Sequence, residues 1–165
     1  MEGNEEQRFE QEKIAEIDGK YLTFYTDKQL FGLPVADVVQ IVGVQEITAI
    51  PDFPHYAKGV MNLRGEIIPV MDLRLRLGRE VCDYTWRTCT IVTSLGEHLI
   101  GLIVDEVDEV ADIPADRISP PPHVGESDDG YMTGIARLDT KVVLLMDTGK
   151  LMGGEDLSWL QQVEG

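Results

Sequence analysis

Gly59-Val60-Met61-Asn62-Leu63-Arg64-Gly65-Glu66-Ile67-Ile68-Pro69-Val70-Met71-Asp72-Leu73 reads as a tight β-hairpin. Val60 and Leu63 belong to its first apolar strand. Arg64-Gly65-Glu66 makes the turn, with Gly65 free to take positive φ. Ile67 to Met71 is the return strand, and Asp72 is placed to start a short helical turn. The pattern returns 75 positions later. Gly134-Ile135-Ala136-Arg137-Leu138-Asp139-Thr140-Lys141-Val142-Val143-Leu144-Leu145-Met146-Asp147 matches it without a gap. A second match runs in the same order: Phe31-Gly32-Leu33-Pro34-Val35 to Ile41 falls on Ile100-Gly101-Leu102-Ile103-Val104 to Val110 at a 69-residue offset. The difference between the two offsets places extra loop in the second copy, around Ile113 to Tyr131. Two ordered matches indicate an internal duplication.

The duplication predicts an all-β chain of two small barrels leaning on each other. Repeat blocks cover about 20–78 and 89–152. In the first, strands are expected at Tyr21–Thr26, Leu30–Val35, Asp37–Val42 and Gln45–Ile50 ahead of the hairpin. Pro34 lacks an N–H, so its strand is an edge or is bulged there. In the second, they are expected at Thr90–Ser94, Leu99–Val104, Val107–Ala111, Tyr131–Leu138 and Lys141–Met146. Ile118 to Gly125 carries consecutive prolines and reads as a stiff extended connection. Residues 1–18 form a flexible acidic tail, and residues 19–152 the folded domain. Residues 153–165 form a tail in which Glu155–Val163 suits a closing helix, with Leu157, Leu160 and Val163 at helical spacing.

Composition narrows the function. The chain has 165 residues, 43% of them hydrophobic, and a formal net charge of −16. Such charge disfavours nucleic acid and anionic membrane surfaces, whose affinity comes from Lys and Arg. It suits partners with basic patches. No apolar run approaches the ~20 residues that span a bilayer, and the first residues lack the basic and apolar regions of a secretory signal. The two cysteines, Cys82 and Cys89, match no zinc or redox spacing and read as reduced thiols of a cytoplasmic protein. His55, His98 and His123 stand apart, without a second ligand at metal spacing. Asp105, Glu106, Asp108, Glu109 and Asp112 read as a solvated strand face, with a weak cation site as the minor alternative. No phosphate-binding glycine loop and no nucleophile elbow occurs. Neither a catalytic residue, a metal site nor a cofactor is expected.

Lys58 through Arg74 closely resembles the signature of CheW, the coupling protein of bacterial chemotaxis. Phe31-Gly32-Leu33-Pro34-Val35, Val104-Asp105-Glu106-Val107 and Tyr131-Met132-Thr133-Gly134-Ile135 agree with it, so the resemblance covers roughly residues 20 to 152. It implies two SH3-like five-stranded β-barrels with short helices. It also implies a non-catalytic adaptor, monomeric alone and assembled into arrays beneath the inner membrane. The partners it implies are the regulatory domain of a CheA-type histidine kinase and the cytoplasmic tip of chemoreceptors. Kinase contact falls by resemblance on Val38, Gln40, Lys58, Gly59, Asn62 and Arg64, and receptor contact on Val35, Val107 and Val110, in an apolar groove between the barrels. Each also has a plain structural reading: Arg64 as an organiser of the hairpin, the valines as core. Gln40 stands where the family usually has Glu, so a charge-assisted contact with Arg64 becomes a neutral one of roughly half the strength. That departure leaves open a coupling protein of a non-chemotactic array, for pilus motility or cyclic-di-GMP signalling. A small-barrel enzyme or nucleic-acid binder is the disfavoured rival. Arg74, Arg76, Arg79 and Arg87 form a locally basic segment, either facing an acidic partner or simply solvated.

Overall fold

The computed structural model describes residues 19–121 and 130–152. The tail over 1–18, the closing helix expected over Glu155–Val163, His123 and the end of the Pro-rich connection lie outside them. Twelve strands carry the described fold: β1 (Lys20–Thr26), β2 (Gln29–Pro34), β3 (Val38–Gly43), β4 (Ile47–Thr48), β5 (Ala57–Leu63), β6 (Glu66–Asp72), β7 (Cys89–Leu95), β8 (His98–Val104), β9 (Glu106–Asp112), β10 (Ile118–Ser119), β11 (Met132–Leu138) and β12 (Lys141–Met146). Short helices α1 (Leu73–Arg76) and α2 (Thr148–Leu151) follow β6 and β12. The two caps repeat, as the duplication requires. Asp72 accepts from the Arg74 N–H and Asp147 from the Lys150 N–H, both at 2.9 Å.

The hairpin is built as the sequence demands. Leu63 pairs with Glu66, leaving Arg64 and Gly65 as a two-residue loop with φ of 54° and 88°. Positive φ at both positions is the type I′ signature, whose twist matches that of the flanking strands. The Asn62 Oδ1 accepts the Gly65 N–H at 2.8 Å and locks the turn. The expected fourth strand, Gln45–Ile50, shrinks to β4, which pairs with β5 only at Ile47 and Thr48 before the chain passes close over Gly59. A Cβ on Gly59 would lie 2.0 Å from the Thr48 carbonyl oxygen, so only glycine allows the crossing. Gly134 does the same for β10, where a Cβ would meet Ile118 at 2.6 Å.

The strands form two six-stranded sheets, each with five strands of six or seven residues and one of two: β10-β11-β12-β2-β1-β9 and β3-β7-β8-β6-β5-β4. Each sheet therefore takes two strands from one repeat and four from the other. Parallel pairs β2–β12 and β6–β8 join the exchanged pieces. We call the first sheet barrel A and the second barrel B. Barrel B is continuous, from Val38 to Val104. Barrel A combines the strands before it with those after it, so among the described residues the chain crosses between barrels at Val35–Asp37 and at Asp105. Pro34 ends β2, past the Phe31–Gly32 pairing with β12, so the strand is interior yet locally an edge there.

Three apolar clusters follow. Leu30, Ile113, Val143 and Leu145 fill barrel A, and Met61, Ile68, Val70, Val92 and Ile103 fill barrel B. The largest lies between the barrels and takes Phe24, Phe31 and Leu33 from one side and Met71, Ile91, Ile100 and Leu102 from the other. Full burial of each such side chain stabilises by about 1.5–3 kcal/mol. A shared cluster of this kind binds the barrels into one unit.

Candidate docking faces

The residues assigned to kinase contact divide into two kinds. Asn62 and Arg64 stand exposed at the hairpin tip, but Asn62 is engaged in the turn. Gly59 is buried and serves the β4 crossing. Lys58 is the extra residue of a β-bulge, between the Ala57–Met71 and Gly59–Val70 pairs, and its Nζ lies 5.9 Å over the Tyr84 ring. Val38 and Gln40 are half-buried on β3, an edge strand of barrel B. Val38 packs against the central cluster. Among the described residues no hydrogen bond or ion pair joins Gln40 to Arg64, so any contact they share is with a partner and not with each other.

The receptor trio also divides. Val35 and Val107 are half-buried against the central cluster, and Val110 is 58% exposed. Strict alternation on β9 predicts Asp108 outward and Val107 inward. Alternation does turn Asp108, Val110 and Asp112 outward, and a bulge between the Val110–Leu22 and Val107–Phe24 pairs turns Glu109 outward as well. The Thr23 hydroxyl occupies the bulge, donating to the Glu109 carbonyl at 2.9 Å.

The fold arranges four exposed apolar residues by repeat, of which sequence reasoning had singled out only Val110. Ile41 on β3 and Val110 on β9 are equivalents, as are Ile67 on β6 and Val142 on β12; all four are 42–58% exposed. Val39, two residues before Ile41 on the same face of β3, joins the first set at 51%. A signal for two of them existed. Residues directly opposite in a hairpin share a face, and Ile67 opposes Asn62 while Val142 opposes Arg137. Polar Asn62 and Arg137 mark those faces as outward. Each barrel thus presents one apolar residue on its outer edge strand and one on its hairpin. Beside Val142 runs a groove of about 590 Å³ lined by Asp116, Arg117, Ser119 and Arg137.

The basic segment does not face outward as a patch. Arg74 grips Asp105 with Nε and Nη2 at 3.0 and 2.6 Å. Arg79 donates to Asp27 at 2.6 Å, which holds that carboxyl below its usual range. Arg76 stacks between the Tyr56 and Tyr131 rings, 5.3 and 5.2 Å from their centroids, and donates to the Leu151 carbonyl at 2.7 Å. Arg87 lies over the ring of Trp86, which is itself 86% exposed. Asp105, expected on a solvated strand face, belongs instead to this internal network. The Tyr84 hydroxyl donates to Asp72 at 2.9 Å, and burial beside that carboxylate raises its pKa. Cys89 is half-buried at the start of β7, with burial raising its pKa, and Cys82 is exposed. Among the described residues no three of His, Cys, Asp and Glu converge as metal ligands, and no helix is long and apolar enough to cross a membrane.

Comparison with known proteins agrees over most of the chain. A family model described as a CheW-like domain matches residues 20–156. Chemotaxis protein CheW of Klebsiella aerogenes is 31% identical over 148 residues, covering 89% of each chain. Protein FrzA of Myxococcus xanthus is 26% identical over 140 residues, covering 84% of this chain and 88% of its own. The crystal structure of the scaffolding protein TtCheW from Thermoanaerobacter tengcongensis superposes with a TM-score of 0.75 at 36% identity, over 82% of this chain and 92% of that one.

Proposed function

This chain belongs to the CheW family, and on that premise we propose that it joins the regulatory domain of a CheA-type histidine kinase to the cytoplasmic tips of chemoreceptors. It is a coupling adaptor of chemotaxis signal transduction. The reading rests on one observation: each barrel of a single fused body turns the same two apolar positions to solvent. An adaptor must hold two partners in a relation through which each can act on the other. A duplicated fold with a shared core supplies two docking faces that cannot drift independently.

Barrel B, which exposes Val39, Ile41 and Ile67 and carries Gln40 and Arg64, takes the kinase. Val35, Val107 and Val110 take the receptor. Exposed apolar residues together with polar ones are what a reversible interface uses. Coupling of this kind is worth about 1–3 kcal/mol, enough to change a kinase's activity without any chemistry by the adaptor. The protein works in the cytoplasm, at the receptor array beneath the inner membrane. Gln40 in place of Glu, with a relative named FrzA, supports a second reading in which the array is not a chemotactic one.

Titration calorimetry against the kinase regulatory domain tests this. Arg64→Ala is expected to weaken binding tenfold or more, about 1.4 kcal/mol, while Val110→Asp leaves it unchanged. Binding insensitive to Arg64→Ala removes the assigned face, and no binding by the folded wild type removes the kinase.

A further inference from the structure

The two places where the chain crosses between barrels are built alike by the duplication and secured very differently. At Asp105, between β8 and β9, the carboxylate takes a bidentate grip from Arg74 of α1. Its Oδ2 also accepts the Asp27 N–H at 2.8 Å, and its own N–H donates to the Tyr25 carbonyl at 3.0 Å. Asp27, in the β1–β2 turn of barrel A, is held in turn by Arg79 and lies 3.6 Å from Arg74. Two cations from the β6–β7 connection of barrel B thus clamp two carboxylates, one in barrel A and one on the crossing. Bidentate, charge-assisted pairs are the strong ones, and Arg74 is only 18% exposed.

At the other crossing, Val35–Asp37, one comparable joint is present among the described residues: the Thr148 hydroxyl of α2 donates to Asp37 at 2.8 Å. The repeat shows why. The counterparts of Asp27, Arg74 and Asp105 are Gly96, Gly149 and Ala36, at the offsets of 69 and 75 established above. All three clamp positions carry no polar side chain in the other copy. Arg76 adds a third joint between α1 and the end of α2, flanked by the equivalent tyrosines Tyr56 and Tyr131, and so favours neither crossing.

We infer that the two crossings form an unequal hinge, in which the ion-clamped Asp105 is the fixed pivot and Val35–Asp37 is the side that yields. Movement between the barrels then opens the Val35 side first, one of the positions assigned above to the receptor. That consequence rests on the coupling reading, whereas the hinge does not. A partner wedged at Val35 would change the angle between the two docking faces, which is how one contact is communicated to the other.

Hydrogen exchange measured by mass spectrometry on the full chain decides the matter. In 50 mM salt, peptides across residues 34–40 are expected to exchange at least tenfold faster than those across 103–108. Raising salt to 1 M, where screening is strong, should speed exchange at 103–108 and leave 34–40 unchanged. Thr148→Val should speed 34–40 alone, and Asp27→Asn should speed 103–108 alone. The double variant Ala36→Asp with Gly149→Arg, which rebuilds the clamp at the weak crossing, should slow exchange at 34–40. Equal exchange at both crossings in the wild type overturns the hinge, as does a uniform rise at both in each single variant. None of these readouts involves a partner, so the hinge can fail while the coupling reading stands, and the reverse.

Discussion

Gly59→Ala should be among the most damaging single-methyl changes in this protein. The backbone at Gly59 has φ of +143°, a region costing other residues about 1–3 kcal/mol. The new Cβ would also lie 2.0 Å from the Thr48 carbonyl oxygen and 2.9 Å from the Ala49 Cα. Uncrowded contact needs roughly 3.5 Å, and the obstacles are backbone atoms, which cannot rotate away. Strand β4 must retreat and give up its pairs to Met61 and Val60, losing hydrogen bonds worth about 0.5–1.5 kcal/mol each. Together these cost about 3–5 kcal/mol, a fall in Tm of roughly 10 °C for a chain of this length. Gly134→Ala is the internal control. Its closest obstacle is a side-chain methyl of Ile118 at 2.6 Å, which can move, so the cost should be about 1–2 kcal/mol. Gly43→Ala meets nothing within 4 Å and should fall within about 0.5 kcal/mol of wild type. Thermal melts by circular dichroism would rank the three. A Gly59→Ala protein melting within about 3 °C of wild type, or above Gly134→Ala, would refute the crossing argument. The same result would return Gly59 to the list of direct binding residues.

Other expectations follow from the same contacts. Ile41→Asp should abolish calorimetric binding to the kinase domain while leaving the melt unchanged, since the side chain is already 42% exposed; retained binding would move the face elsewhere. Asp27 has its pKa lowered from 3.8, chiefly by the hydrogen bond from Arg79. Its contribution is therefore present above that value and is lost as pH falls through the lower folded pKa. Asp27→Asn should flatten that acid limb of the stability curve, and an unchanged limb in urea titrations would contradict the ion pair. Tyr84 has its pKa raised from 10.0, first by burial and then by Asp72. Its contribution holds below pH 10 and fades above it, so Tyr84→Phe should be less stable at neutral pH with the gap closing above pH 10. Finally, the full chain should unfold in one calorimetric transition, and a fragment of residues 20–78 should stay unfolded, because β1 and β2 belong to the other repeat's sheet. A folded fragment would show that the exchange of strands is dispensable.

The sequence by itself determined the local elements and their repetition. Alternating apolar residues set the strands, Gly65 set the hairpin turn, Asp72 and Asp147 set the helix starts, and the 75- and 69-residue offsets announced a duplicated β fold. These are legible because they depend on near neighbours and on a period of two. Tertiary structure alone decided which strands pair. Nothing in Gly32 or Gly101 says that β2 lies beside β12 and β8 beside β6, since parallel pairing across repeats leaves no local mark. It also decided what Arg74 and Asp105 do, because a charge's role depends on what the chain brings within 3 Å of it. A basic segment and an acidic strand, read separately as surface, prove to be the two halves of one internal clamp. The outward apolar residues were half legible. Hairpin pairing placed Ile67 and Val142, and alternation sets Val39 with Ile41 and Val110 with Asp108 and Asp112, but only the strand order shows that β3 and β9 are edges whose outer faces meet solvent.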